Sequence, residues 1–283
     1  MIHFAYDGSL NGDWVAHYAV RFALATPERH LRLLHVRDAA VGPTLDERLA
    51  RIDEECAQLG VTLEREILAG DGGDGGDGGD VGARLLARLP DDPRALLVAG
   101  TRWRPRGQSY LAHSVTARLL AHARGTVLGV RVANPGFLGQ PGRMLLPLAA
   151  DLPRLGAALP LLRVAAPDLR ELQLLVVRPL SRLRLRMLGA EAASRLLAED
   201  RLLAAELEEE LRAALAAPDC HLDATAVLCE DEAPEILAVA RRLHARLIAV
   251  EARHHAATPG SAPMLERLLA NPPCDVIVFG NRA

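Results

Sequence analysis

Four segments in the first half of this chain recur in the same order in the second half, at about 135 residues per copy. Three of the four segments are short apolar runs that end in small, polar or acidic residues. The fourth is a helical pattern followed by an apolar run. The pairs are IHFAYDGS (2–9) with RMLLPLAAD (143–151), LRLLHVRD (31–38) with LQLLVVRP (172–179), LLVAGTRW (96–103) with LIAVEARH (247–254), and TARLLAHARGTVLGV (116–130) with MLERLLANPPCDVIVF (264–279). Self-similarity at a fixed spacing indicates a repeated structural unit. The sequence therefore predicts two copies of one unit.

The order of elements within each copy predicts the fold class. Each copy reads as five strands alternating with four helices, and runs such as ALLVAG and RLIAV are nearly continuous in apolar residues. Such runs are expected where helices cover both faces of a parallel sheet, with right-handed crossovers. The proline- and glycine-rich stretch ANPGFLGQPG (133–142) reads as a linker. We therefore predict an α/β protein of two tandem doubly wound five-stranded parallel-sheet domains, at 1–134 and 143–283.

Two further segments carry structural predictions. The residues from Leu183 to Ala217 mix apolar and charged faces and predict one long amphipathic packing helix. The tract DGGDGGDGGD (71–80) lacks the terminal Glu of a helix–loop–helix calcium site and the GK[ST] of a phosphate-binding loop. We interpret it as a flexible, solvated insertion between the third strand and the following helix, with a weak calcium site as the alternative.

Composition restricts the classes of function. The chain has 283 residues, half of them apolar, and a net charge of −3, which argues against a nucleic-acid or membrane-surface partner. It shows neither a basic-then-apolar leader nor a membrane-length apolar run, so we expect a soluble, cytoplasmic protein. The cysteines have no metal-binding spacing and are expected to be reduced and mostly buried; they are Cys56, Cys220, Cys229 and Cys274.

Ligands of open parallel sheets bind outside the carboxyl ends of the strands. In the first copy, Asp7 and Gly8 follow the first strand, and Asp7 could accept a hydrogen bond from an amino group or a ribose hydroxyl. Ser114 opens the last helix, whose free N–H groups favour an anion. Arginines suited to phosphate lie between; they are Arg102, Arg104 and Arg106. The alternatives are that Asp7 and Ser114 only cap helices and that the arginines are solvated.

The segments AYDGS, LLHV, LLVAGTR and SVTARLLAHARGTVLGVR resemble a universal stress protein domain, and the second copy resembles a divergent repeat of it. The resemblance covers nearly the whole chain. It implies a doubly wound five-stranded fold and, as in many members, ATP binding without a well-defined catalysed reaction. Members that bind ATP use an aspartate after the first strand, a backbone contact at the end of the second, and a G-x₂-G-x₉-G-[S/T] loop around the phosphates.

Transferred to this chain, the resemblance implies a nucleotide site in the first copy. ATP or another adenine nucleotide, with Mg²⁺ as an accompanying ion, would be bound by Asp7, Gly8, Val36, Gly100, Arg102, His113 and Ser114. Two positions depart from the family pattern, because Trp103 and His113 replace the second and third glycines of the loop. The indole could block the phosphate channel or cover it, and the imidazole could donate to a phosphate.

The second copy departs further from the family pattern. Ala149 occupies the aspartate position, with Asp151 two residues later, and Glu251 replaces the first loop glycine. Pro263 aligns with Ser114, which removes the hydroxyl. His254 and His255 have no third ligand nearby, so no metal site is predicted. We interpret this copy as a structural partner.

Three functional hypotheses follow. The first is a non-catalytic stress-response protein whose first copy binds an adenine nucleotide, the two copies packing as an internal pseudo-dimer through TVLGVRV and DVIVF. A further homodimer stays open. The second is a structural or protein-interaction module without a ligand. The third, an enzyme, finds no support, since no Ser-His-Asp order and no HxGH-like or GK[ST] motif is present.

Overall fold

The computed structural model describes residues 1–37, 44–69, 80–101, 114–137, 139–151, 155–215, 219–252 and 261–280. The chain divides into two compact units. Unit 1 comprises Met1–Gly139 and Phe279–Ala283, and unit 2 comprises Gln140–Val278. In the described part of the predicted linker at 133–142, Pro135–Phe137 form a 3₁₀ turn.

Unit 1 contains a parallel sheet with helices on both faces. Its strands are β1 (Ile2–Tyr6), β2 (His30–Val36), β3 (Thr62–Leu68), β4 (Leu96–Gly100) and β5 (Thr126–Arg131), and its helices are α1 (Leu10–Leu24), α2 (Thr44–Leu59), α3 (Val81–Arg88) and α4 (Val115–His122). The strand order is β3-β2-β1-β4-β5, and the neighbouring strands pair in parallel. The order reverses between β1 and β4, where ligands of such sheets bind.

Burial follows the position of each strand in this sheet. The central strand β4 is buried along Leu96–Ala99, because helices cover both of its faces. On one face, Leu85 of α3 and Leu119 of α4 pack with Leu97 and Val127. The edge strand β3 instead exposes charged residues, which discourage pairing with another chain.

Unit 2 repeats this topology. Its strands are β6 (Gly142–Ala149), β7 (Leu169–Pro179), β8 (His221–Cys229), β9 (Leu247–Glu251) and all but the last two residues of β10 (Asp275–Gly280), and its helices are α5 (Leu155–Ala165), α6 (Arg182–Met187), α7 (Ala190–Leu215), α8 (Glu232–Arg242) and α9 (Ser261–Ala270). The strand order is β8-β7-β6-β9-β10, the same sequence of positions as in unit 1. The predicted doubly wound α/β class is confirmed.

The single long helix predicted from Leu183 is wrong in one respect. Helix α6 ends at Met187, and α7 begins only at Ala190, after Gly189. Glycine is a poor helix former, so the chain can break there without interrupting the apolar periodicity. Only α7 packs as expected, with buried positions that include Leu207 and Leu211, whereas α6 buries no residue.

The aspartate-glycine tract lies between β3 and α3, as predicted. Its last residue, Asp80, caps α3, because its Oδ1 accepts a hydrogen bond from the Ala83 amide at 3.0 Å. Residues 71–79 lie outside the described residues.

The four cysteines are free, as the sequence predicted. Three are buried, and Cys220 is half-buried. Burial raises the pKa of the Cys56 thiol to about 11 and those of Cys229 and Cys274 to about 12. The pKa of Cys220 is also raised, again mainly by burial.

Candidate functional site at the carboxyl edge of unit 1

The strand register brings the predicted binding residues to one edge of the sheet. Tyr6 pairs with His35 on β2, and Ala5 pairs with Ala99 on β4. Continued by one residue, the same register sets Asp7 beside Val36 and Tyr6 beside Gly100. Adjacent strands are about 4.8 Å apart, so Asp7 and Val36 lie side by side, and Gly100 lies in the neighbouring row beside Tyr6, one residue before the level of Asp7.

The turn after β1 fixes the carboxylate of Asp7. Its Oδ1 accepts hydrogen bonds from the Ser9 amide at 3.0 Å and from the Ser9 hydroxyl at 2.6 Å. Gly8 has φ +72°, a left-handed conformation that favours glycine. Ser9 is the N-cap of α1, since its Oγ accepts from the Gly12 amide at 3.0 Å. Asp7 therefore supports the cap of α1 and is not itself the cap that the alternative interpretation proposed.

The first turns of two helices lie against Gly100. The Thr116 hydroxyl, in the first turn of α4, donates to the Gly100 carbonyl at 2.8 Å. On the side of α1, a Cβ placed on Gly100 would lie 3.0 Å from Asn11 Nδ2. The first N–H groups of a helix have no intrahelical acceptor, and its dipole is positive there. The edge at Gly100 thus suits an anion.

Ser114 begins α4 as its N-cap. Its hydroxyl accepts a hydrogen bond from the Ala117 amide at 3.0 Å. The capping role considered from the sequence is confirmed, and it places the hydroxyl at the tip of the helix that contacts Gly100. Capping and anion binding use the same end of a helix, so the two roles are compatible.

A partly buried network of side chains lies beneath this edge. The Tyr6 hydroxyl donates to Asp13 Oδ1 at 2.5 Å, and Arg48 of α2 pairs with the other oxygen of Asp13. The pKa of Tyr6 is raised well above its usual range, mainly by burial and to a smaller extent by the hydrogen bond to Asp13, so the phenol keeps its proton. The network joins β1, α1 and α2 and thereby fixes the turn that carries Asp7.

Two polar atoms near this edge have no hydrogen-bond partner among the described residues. The His35 ring is buried, and its Nδ1 donates to the Tyr6 carbonyl at 2.9 Å, whereas its Nε2 has no partner within those residues. Asn11 Nδ2 is the second such atom. Neither residue was predicted from the sequence, nor were Ser9 and Thr116. The serine in DGS, directly before a helical pattern, was the available signal for Ser9.

Five of the seven predicted site residues belong to this edge; they are Asp7, Gly8, Val36, Gly100 and Ser114. Arg102 and His113 lie outside the described residues, as do Trp103, Arg104 and Arg106.

The corresponding edge of unit 2 has different chemistry. Ala149 pairs with Val177, as Asp7 stands beside Val36. One residue further, Arg178 donates to the buried carboxylate of Asp200 through Nε, at 3.0 and 2.8 Å, and through Nη2, at 2.5 Å. Asp200 raises the pKa of Arg178 further above its usual value. Glu251 ends β9 where Gly100 ends β4. Arg253, His254 and His255 lie outside the described residues.

The described part of the chain contains neither a metal-binding cluster nor a membrane-spanning helix. There, no three His, Cys, Asp or Glu side chains gather into a metal-binding cluster. Nor is any helix in those ranges both long and apolar enough to cross a membrane.

Comparison with known proteins was informative only at the level of structure. No protein-family model matches the sequence, and no curated protein is significantly similar to it. Among solved structures, a universal stress protein from Archaeoglobus fulgidus aligns with a TM-score of 0.57 and 16% identity, over 100% of this chain and 96% of that one.

Two further solved structures have the same fold. A protein from Pseudomonas aeruginosa that is named as a universal stress protein aligns with a TM-score of 0.56 and 16% identity, over 98% of this chain and 91% of that one. The cytoplasmic domain of a prokaryotic cation chloride cotransporter aligns with a TM-score of 0.56 and 12% identity, over 99% and 95%. One fold thus serves proteins of different function. The resemblance noted in the sequence is confirmed at the level of structure: the chain has the fold of the universal stress proteins.

Proposed function

We propose that unit 1 binds an adenine nucleotide, with ATP as the first candidate, at the carboxyl edge of its sheet, and that the protein acts in stress response without catalysing a reaction. The observation that carries the proposal is the position of Gly100. It lies beside Tyr6, one residue before the level of Asp7 and Val36 at the same edge of the sheet, and the Thr116 hydroxyl holds the first turn of α4 against its carbonyl.

Asp7, Val36 and Gly100 each have a physical role in this proposal. The carboxylate of Asp7, oriented by Ser9, would accept a hydrogen bond from the ribose or from the amino group of the base. The backbone at Val36 would contact the adenine. Gly100 has no side chain, so phosphate oxygens could approach its backbone and the first turn of α4.

The remaining parts of the proposal come from the sequence alone. Arg102 would contribute a fixed positive charge and His113 a donor to the phosphates. Mg²⁺ would be carried mainly by the phosphate oxygens of the nucleotide, in the way that Mg²⁺ commonly is. The non-catalytic role rests on the absence of nucleophile and phosphate-loop motifs from the sequence.

A role without a nucleotide is the better proposal for unit 2. Ala149 offers no acceptor at the position of Asp7, and Glu251 places a carboxylate where unit 1 has Gly100. Like charges at short distance repel, so a phosphate would be disfavoured there.

The test is a calorimetric titration of the full chain with Mg·ATP. The D7A variant should lose affinity by about 10- to 100-fold, the size expected for one hydrogen bond to a charged group. The matched variant E251A, at the edge of unit 2, should bind as the unaltered protein does. Because alanine removes the acceptor for Ser9, D7N serves as a second variant that keeps an oxygen at that place and loses the charge.

Mass spectrometry of denatured protein, purified without added nucleotide, gives an independent measurement. Co-purified ATP or ADP would support the proposal. The assignment of the site to unit 1 would be overturned if E251A weakened binding while D7A and D7N did not. Absence of binding at millimolar nucleotide would favour a module without a ligand.

A further inference from the structure

Unit 2 has a groove of about 350 Å³ between the end of β7, helix α6 and the start of α7. Five apolar residues line it together with two arginines; they are Leu180, Leu183, Met187, Leu188, Leu196, Arg178 and Arg184. The volume falls in the range of small-molecule sites, and a mostly apolar lining with a few polar groups is typical of them. The groove lies beyond the carboxyl end of β7, the end at which parallel sheets bind ligands.

Two apolar side chains of helix α6 line this groove and are left exposed by the fold. Leu183 is 67% exposed and Met187 is 77% exposed, although both are large and apolar. Their neighbours on the groove wall, Leu180, Leu188 and Leu196, are half-buried. An apolar strip of this kind, bordered by charged residues, marks a surface that binds an apolar group.

The two arginines differ in their availability to a ligand. The charge of Arg178 is neutralised by Asp200, whose side chain is 1% exposed and which it contacts through two nitrogens. Arg184 forms no ion pair within the described ranges of the chain, and its only hydrogen bonds there are those of its backbone. The groove therefore offers an apolar wall and one available positive charge.

We propose that this groove binds a single-chain amphiphile with one negative charge, a medium- or long-chain fatty acid. The alkyl chain would cover Leu183 and Met187 and extend toward Leu196, and the carboxylate would pair with Arg184. A monoanion matches the single unpaired charge of the lining. The site is separate from the nucleotide site proposed for unit 1 and does not depend on it.

A membrane surface fits these observations less well. Helix α6 has six residues, a little more than one and a half turns, and is shorter than the helices that lie in a lipid interface. The apolar residues also line a concave groove, whereas a planar membrane needs a convex apolar face. Anionic vesicles nevertheless form the second arm of the test.

The test is a titration of the full chain with decanoate below its micelle concentration. One molecule should bind per chain, more tightly than the uncharged decanol. In R184Q the affinity for decanoate should fall by about tenfold or more, while the affinity for decanol stays unchanged. The matched variant R182Q removes a charge from the same helix outside the groove and should bind decanoate normally. Both arginines are exposed, so neither change should affect folding.

A separate variant tests the contact between the alkyl chain and the apolar side chains of the groove. M187Q should weaken the binding of decanoate and decanol alike, because the alkyl chain loses its contact. Three outcomes would overturn the proposal: no saturable binding of decanoate, equal loss in R182Q and R184Q, or binding to phosphatidylglycerol vesicles without binding of monomeric decanoate. The second would indicate unspecific attraction to the arginines, and the third a membrane contact.

Discussion

The two units share one strand order and differ at the edge where such folds bind ligands. At the end of the first strand, unit 1 has Asp7, held by Ser9, whereas unit 2 has Ala149. At the end of the second strand, Arg37 of unit 1 is exposed, whereas Arg178 of unit 2 is paired with the buried Asp200. The apolar strands specify the architecture, and the residues at their carboxyl ends specify the chemistry. The shared fold therefore does not imply that the two units bind the same ligand.

The largest effect is expected from separating the buried pair of unit 2. R178M would leave the carboxylate of Asp200 buried without a partner and should lower the free energy of unfolding by about 3–5 kcal/mol. The counterpart R37M in unit 1 should change it by about 0.5 kcal/mol or less, because Arg37 is exposed. Urea denaturation followed by circular dichroism measures both.

The double variant R178M/D200L tests the reason for this loss. Apolar groups of similar volume in place of a buried ion pair are often neutral for stability, so the double variant should recover most of what R178M loses. A loss in the double variant as large as in R178M would contradict the interpretation that the unpaired charge is responsible.

A second comparison concerns the first strand of each sheet. His3 of β1 lies four residues before Asp7, and Leu145 of β6 lies four residues before Ala149. His3 is buried, its Nδ1 has no partner among the described residues, and burial together with Arg32 lowers its pKa from 6.5 to about 4. Below pH 6.5 the unfolded chain therefore binds a proton that the native state does not bind.

H3L, which introduces the residue of unit 2, should remove this part of the acid destabilisation. As the pH decreases from 6.5 to 4, the free energy of unfolding of the unaltered protein should fall by about 3 kcal/mol more than that of H3L. Above pH 6.5 the free energies of unfolding of the two proteins should change with pH in parallel. Both tryptophans, Trp14 and Trp103, belong to unit 1, so urea transitions followed by tryptophan fluorescence report on it. Parallel curves between pH 6.5 and 4 would show that His3 is protonated in the native state.

The smallest effect compares the turns before the last strands. In unit 1 the Thr126 amide donates to the Ala95 carbonyl at 2.8 Å, and a Cβ on Gly125 would overlap that oxygen. In unit 2 the equivalent hydrogen bond, from the Asp275 amide to the Arg246 carbonyl, measures 3.2 Å. The position of Gly125 is occupied there by Cys274.

G125A should therefore lower the free energy of unfolding of unit 1 by about 1–3 kcal/mol. The control G136A places a methyl group no closer than 3.4 Å to another atom and should be nearly neutral. Fluorescence-detected urea transitions of both variants are the measurement. Equal stability of the two variants would mean that the turn of unit 1 can open as its counterpart in unit 2 does.

The fold was predictable because its signal is periodic. Buried runs such as Leu96–Ala99 and the helical patterns between them repeat along the chain, so element order could be derived from residue type alone. The break at Gly189 was not predicted, because the apolar and charged pattern continues across it. That break leaves α6 without a buried face, a property that depends on tertiary packing.

The candidate site was predictable only as far as strand ends and helix starts reveal it. Asp7, Gly100 and Ser114 follow from those positions. The pairs that orient them do not, because Thr116 and Gly100 are 16 residues apart, and Arg178 and Asp200 are 22 apart. Many residues at such distances could form equally good pairs, and only the folded arrangement selects one.

The four cysteines have a consequence for chemical durability. A thiol attacks oxidants and electrophiles as its thiolate, and a raised pKa leaves little thiolate at neutral pH. Since the pKa of each cysteine in this chain is raised, peroxide or alkylating agents would react with them slowly while the chain is folded. The folded chain therefore keeps its thiols in their less reactive, protonated form, and its cysteines should be oxidised or alkylated more slowly than exposed cysteines of ordinary pKa.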